Sequence, residues 1–458
     1  MRTTLTIFAS LLTFVLLPAG TGLWSAESNS TYLLEAALPA GSTIRAKVQL
    51  EVGGEMLVPT EEELKRLPME VRASFDYREQ LVKWSADAAT IARSVRKYDK
   101  AEAHIKVDQE QITRTLPAEE QLLLAEVRAG ESLLAVATGL LNREQMDLVN
   151  TVGNTLVIDR LLPGKEMKEG ESWKHDAATI QALLCMDHVA VCEVTSVVTE
   201  EKLRQVQIRL AGTVHGTVDG TPTEMELRGA YLFHLDAKRI TKFNLAIKES
   251  RKPSDLVPGL DVVAKVNVSV TPHGKELSIP AEVRKVAENT KTPLSRKLRY
   301  ESQEGNFSFE YDSTWYITAE ERDLISLREL QDHELAAHCN LNVLPPRSEG
   351  RQTTLEQFER DIRESLGDKL ESVTAATAWK TEQGHDCLGI IAVGSVDEVP
   401  MEWRYYLVSD ENCPRLSLAV TLEQSRRKAF ADAERQIIDT LQLVQSETTT
   451  ARKAETQR

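Results

Sequence analysis

The sequence predicts an α+β protein of two units. The first is an N-terminal domain, mostly a curved antiparallel β-sheet with short helices, and the second a C-terminal α/β/α sandwich with an antiparallel sheet. Three observations carry this. Apolar residues recur at period two over much of the chain, as half-buried strands require. Between residues 189 and 270 such runs follow one another with only short turns between them. Short turns mean antiparallel neighbours, because a parallel return needs a long crossover. Beyond about residue 305 the rhythm changes, and segments of helical period enter among the strands.

The chain opens with Arg2, an apolar run over 5–17, and small residues up to Ala26. That order reads as a secretory signal peptide over residues 1–26, with an apolar core too short for a bilayer span. No later run reaches spanning length, so the expectation is a secreted or periplasmic protein, not membrane-spanning, soluble once the signal is removed. The antiparallel domain is assigned to 27–282. Val48, Leu50 and Val52 alternate with polar residues, and Gly53-Gly54 reads as a hairpin turn into 56–58. Met69, Val71, Ala73, Phe75 and Tyr77 mark another strand. Residues 122–127 and 133–137 flank Ala129-Gly130 as a further hairpin, with helix as the alternative.

Asn142 and Gln145 make a capping box for a helix over 143–150, and Asp176 caps 177–184. The meander follows at 189–198, 206–215, 224–235, 240–247 and 262–270. Within it Leu203, Val206, Ile208 and Leu210 form one apolar phase. Residues 283–304 are polar, locally basic and contain Pro293, and are expected to link the domains. Residues 445–458 lack apolar periodicity and are expected to be a disordered tail.

In the second domain, 305–444, Phe307, Phe309 and Tyr311 alternate ahead of Trp315. Thr354 and Gln357 box a helix with the stripe Leu355, Phe358, Ile362 and Leu366. Strands recur at 370–379, 387–393, 403–408 and 416–422, and a closing helix shows Phe430, Ala433, Ile437 and Leu441 on one face. The run from Asn306 to Tyr311, the following Trp315 and this order of elements resemble the PsbP-like family, which includes DcrB-like proteins, over about 306–443. The resemblance implies an α/β/α sandwich. Because that family is functionally mixed and mostly non-enzymatic, it implies no site residue. The N-terminal region, by its 161–173 segment ahead of a meander, resembles uncharacterised secreted bacterial proteins.

A chain of 458 residues with net charge −15 has no basic footprint for phosphates, which argues against nucleic acid and anionic lipid as partners. The five cysteines are Cys185, Cys192, Cys339, Cys387 and Cys413, with no CxxC. In an oxidising compartment Cys185 and Cys192 are expected to form a disulfide, and the pairing of the other three stays open.

The near-motifs fail on geometry. His333 and His338 stand five apart, not the four that would put both imidazoles on one helix face. His338 beside Cys339, and His385 near Cys387, suggest an activated thiol, but both cysteines fall on the apolar phase of strands. Asp176, next to His175, is occupied by helix capping, and the Ser425–Lys428 spacing lacks its companion motifs. No enzyme, catalytic residue, cofactor or metal is therefore expected. The expected function is an exported, non-catalytic interaction or accessory protein whose C-terminal sandwich presents a surface to a protein partner. The alternative is a carrier or sensor of an apolar, lipid-like small molecule on the concave face of the N-terminal sheet.

Overall fold

Alternating side chains give this chain strands of unusual length, and the computed structural model shows where their buried faces meet. It describes residues 30–60, 63–254, 257–304, 306–331, 334–345, 353–410 and 413–444. The expected signal peptide and tail lie outside these.

The N-terminal half begins with β1 (Thr31–Leu34), β2 (Thr43–Pro59), β3 (Leu64–Lys83), β4 (Ala92–Val107), β5 (Glu110–Thr115), β6 (Leu122–Arg128) and β7 (Glu131–Val136). A compact stretch follows with α1 (Arg143–Val149), α2 (Thr155–Ile158), β8 (Lys165–Lys168), β9 (Ser172–Lys174) and α3 (Ala177–Leu184). The meander is β10 (His188–Lys202), β11 (Gln205–Val218), β12 (Thr221–His234), β13 (Arg239–Arg251) and β14 (Gly259–Pro272). Then come α4 (Ala281–Glu288), β15 (Lys297–Glu301), β16 (Phe307–Asp312), β17 (Trp315–Glu320), β18 (Leu324–Gln331) and β19 (Glu334–Leu344). The chain continues through α5 (Leu355–Leu366), β20 (Leu370–Lys380), β21 (Asp386–Val396), β22 (Val399–Ser409), β23 (Arg415–Glu423), α6 (Arg427–Phe430), α7 (Ala433–Thr440) and β24 (Gln442–Leu443).

Twelve strands make the large sheet, in the order β7-β6-β4-β3-β2-β14-β13-β12-β11-β10-β9 with β5 on β4. Its pairs are antiparallel, so the α+β reading holds. One face is buried: Val206, Ile208 and Leu210 point in while Arg209 points out, and Tyr231, Phe243 and Val266 continue that layer. The same core contains Leu148, Val157, Ile158, Ile180 and Leu183 from α1 to α3. The chain thus covers the inner face of its own sheet. A seven-stranded sheet, β17-β18-β19-β23-β22-β21-β20, and a small one, β15-β16-β24, form the C-terminal half. There α5 lays Phe358, Ile362 and Leu366 on Ile390, Ala392 and Trp403. Among the described residues no helix is long and apolar enough to cross a membrane.

Both capping boxes form, Asn142 with Gln145 and Thr354 with Gln357, and Asp176 Oδ1 accepts from the Thr179 N–H at 2.7 Å. Four expectations change. Gly53-Gly54 is not a turn: β2 runs straight through it, and Gly54 (φ +152) lets β14 approach so closely that a Cβ there would lie 2.3 Å from the Asp261 carbonyl oxygen. Leu203 leaves the apolar phase of β11 for the preceding turn, at φ +53, and is exposed.

Residues 283–304, expected as a linker, hold most of α4 and all of β15. Val283, Ala287 and Leu294 pack on Val95 and Leu124. The polar majority of that segment conceals two apolar residues one helical turn apart. Finally, the expected Cys185–Cys192 disulfide is not formed, since all five cysteines are free thiols. Cys185 closes α3 in a left-handed conformation (φ +54), while the Cys192 Sγ turns to the His175 carbonyl at 3.8 Å.

Candidate functional site

Three sheets end around one cleft. β7 is the last strand of the large sheet, β15 borders the small sheet, and β17 borders the seven-stranded sheet. The cleft between them, of about 400 Å³, is lined by β7, residues 295–298, Tyr316, α1 and the end of α3.

The β6–β7 connection fixes which backbone groups face it. Ala129 (φ +50) and Gly130 (φ +86) make a two-residue turn, so Arg128 and Glu131 form the hydrogen-bonded closing pair. In antiparallel ladders such pairs alternate. Glu131, Leu133 and Ala135 therefore bond to β6, and the N–H and C=O groups of Ser132, Leu134 and Val136 point outward. No loop hydrogen bond among the described residues ends on these groups. Asn154 Nδ2 donates to the Ser132 hydroxyl (2.8 Å), not to its backbone. Leu134 is only 8% exposed, so its outward amide looks into a confined space.

The walls are braced by ionic and aromatic contacts. Arg143, on α1, donates to the Ser313 and Trp315 carbonyls, each at 2.6 Å. Its guanidinium also lies 4.5 Å from the Tyr316 ring centre. The Tyr316 hydroxyl donates to Asp219 Oδ1 at 3.1 Å, and burial followed by the charges of Asp219 and Asp187 pushes its pKa up. Asp187 accepts from the Gly220 N–H at 2.9 Å. Arg296 pairs with Glu131, joining the approach to β15 with β7.

Asp147, also on α1, differs from these groups. Its side chain is exposed at the cleft mouth, and crowding by the surrounding protein, which removes part of its hydration, pushes its carboxyl up to about 6. Arg143 opposes that shift, and Asp219 and Glu144 add to it. Among the described residues its carboxylate has no hydrogen bond or ion-pair partner. Nearby, the buried Asn150 Oδ1 also lacks a hydrogen bond.

The residues singled out in the sequence lie elsewhere. His333 is outside the described residues. His338 sits mid-strand in β19, exposed, with Cys339 buried on the opposite face, so the two cannot meet. Burial pushes the Cys339 and Cys387 thiols up to about 12, which leaves them protonated and inert. His385 Nδ1 bonds to Asp410 Oδ2 at 2.9 Å.

His175 forms a contact that sequence reasoning missed: its Nε2 lies 2.8 Å from Ser196 Oγ, which also accepts from Tyr231 (3.0 Å). All three are buried, and burial lowers the imidazole to about 4. No sequence spacing announces that trio. Among the described residues no cluster of three or more His, Cys, Asp or Glu side chains could hold a metal. The cleft itself was also missed, because its walls come from segments far apart in the chain. The β6–β7 hairpin and the α1 and α3 caps had local signals, but nothing local announced that they converge.

No protein-family model matches the chain, and neither does any curated protein. Among solved structures, the chain is similar to a cyanobacterial PsbP from Synechocystis, at 9% identity and a TM-score of 0.27, over 33% of this chain and 95% of that one. A protein from Bacteroides thetaiotaomicron matches at 12% identity and a TM-score of 0.25, over 32% of this chain and 49% of its own. Lipovitellin, from a structure describing its lipid–protein interactions, matches at 11% identity and a TM-score of 0.29, over 53% of this chain and 26% of that one. Likenesses at these scores carry no functional argument.

Proposed function

We propose that this is an exported, non-catalytic accessory protein that holds a segment of a protein partner in the cleft where β7, β15 and β17 end. The observation that carries this reading is the convergence of three strand edges on walls braced by Arg143, Tyr316 and the Glu131–Arg296 pair. The C-terminal sandwich supplies one wall through β17, in keeping with a partner-presenting role. The two candidate nucleophiles, Cys339 and Cys387, are buried and held protonated, and His338 lies on the opposite face of β19 from Cys339, which favours binding over catalysis. An apolar ligand on the large sheet would have to displace α1–α3 from their shared core, so the carrier alternative has less support.

The test is a wedge. Leu140 lines the cleft, and Leu140→Trp would fill part of it. A partner is isolated with the wild-type protein, purified, and its affinity measured for both forms. A loss of about tenfold or more in the variant is expected. Equal affinities would place the binding surface elsewhere.

A further inference from the structure

We infer that the cleft takes an extended polypeptide segment as an added strand on the outer edge of β7, with a lysine or arginine of that segment directed at Asp147. This rests on the cleft reading above and names the mode and chemistry of recognition.

The backbone makes the first half of the argument. Buried peptide groups are nearly always hydrogen-bonded, so a nearly buried strand edge with no ladder partner calls for one. Ser132, Leu134 and Val136 offer outward donors and acceptors at every second residue. At about 3.3 Å per residue they span roughly 13 Å, the reach of a five-residue strand. Proteins usually protect open edges with lysine, proline, a bulge or a covering element. β7 has none of the first three: its sequence, Glu-Ser-Leu-Leu-Ala-Val, pairs with β6 in unbroken register. α1 and α3 pack beside it, and its outer edge opens on the cleft between them and β15. An edge left in that state is what strand-addition domains present to their peptides.

Charge makes the second half. The basic groups at the cleft are already engaged: Arg143 by the Ser313 and Trp315 carbonyls, Arg296 by Glu131, and Lys297 by Glu310 at 3.4 Å. Asp219 is held by Tyr316 and, at 3.4 Å, by Arg251. The buried Asn150 Oδ1 acceptor has no hydrogen bond, and the Asp147 carboxylate, exposed at the cleft mouth, has no cationic partner among the described residues. Both want donors, so the complementary side chain is cationic.

The experiment selects a displayed library of random ten-residue peptides on the full-length protein. Enrichment of strand-forming sequences carrying lysine or arginine is expected. The best peptide is then synthesised with alternate backbone nitrogens methylated, in each of the two phases. One phase should lose about tenfold or more in affinity, and the other should be tolerated, because only one set of N–H groups faces β7. Asp147→Asn should weaken binding several-fold and flatten its rise with pH near 6, whereas Glu226→Gln on the outer face of β12 should change nothing.

If no peptide is enriched, the inference is overturned. If both methylated phases bind equally well while Leu140→Trp still weakens binding, strand addition fails but the cleft reading survives. If Leu140→Trp leaves peptide affinity unchanged, both fail.

Discussion

The Tyr316 hydroxyl reaches Asp219 Oδ1 at 3.1 Å and so ties the edge of the seven-stranded sheet to the β11–β12 turn of the large one. Arg143 stacks on the same ring and holds the two carbonyls beside it. The relative placement of the cleft walls depends on these two side chains. Tyr316→Phe should cost about 1 kcal/mol, the net worth of a typical hydrogen bond, since the Asp219 acceptor is partly exposed. Arg143→Ala should cost more, roughly 2–3 kcal/mol, since two carbonyls and an aromatic face lose their cation. Denaturant melts of both variants, compared at constant slope, provide the check.

Arg93 explains why residues 283–304 are not a loose connection. Buried in β4 and paired with Glu126, it donates to the carbonyls of Val286 (3.2 Å), Asn289 (2.9 Å) and Thr292 (2.8 Å). Arg93→Ala would leave the buried Glu126 with Arg128 as its remaining cation and release the segment, costing about 3 kcal/mol, the low end for breaking a buried pair. Limited proteolysis should leave the wild-type segment uncut and cleave the variant between 286 and 296.

Glu329, on β18, is buried with Oε2 unpartnered, and its carboxyl is pushed up to about 7, chiefly by loss of hydration. Gln331 opposes the shift, and Asp312 and Glu434 reinforce it. The folded state therefore holds this proton more tightly than the unfolded chain does. The resulting stability is fully present below the ordinary carboxyl range and is lost as pH rises through about 7. The effect is bounded by something on the order of 3 kcal/mol. Glu329→Gln should flatten the stability profile between about pH 4.5 and 7, measured by urea midpoints across that range.

Gly54 tests the long-strand account of β2. A side chain there would meet the β14 backbone at Asp261 and Val262, and the φ of +152 is strained for any residue with a Cβ. Gly54→Val should destabilise by about 2 kcal/mol or more, whereas Gly53→Val, where a Cβ meets open space, should cost far less. Thermal melts of the pair distinguish a strand crossing from a hairpin turn, which would tolerate neither.

Much of the fold was legible because local chemistry and global packing agree. The Asn142, Asp176 and Thr354 caps sit at the helix starts, and the meander strands differ from their predicted limits by a few residues. The small sheet β15-β16-β24 was not legible, since its strands are drawn from opposite ends of the C-terminal half. Val283 and Ala287 were hidden by polar neighbours. Gly53-Gly54 misled because paired glycines serve a tight turn and a close crossing equally well. The cleft was invisible for a deeper reason: an open strand edge is a property of which strands fail to pair. The near-motif histidines and cysteines drew attention by their spacing; among the described ones, His338 and Cys339 lie on opposite faces of β19 and Cys387 is buried.

Amide-resolved hydrogen exchange along β7, with and without a selected peptide, tests the central claim most directly. In the free protein, Glu131, Leu133 and Ala135 should exchange slowly, because their N–H groups bond to β6, while Ser132, Leu134 and Val136 exchange faster. Saturating peptide should slow the second set by about tenfold or more and leave the first nearly unchanged. Binding that leaves Ser132, Leu134 and Val136 as fast as before would contradict the account.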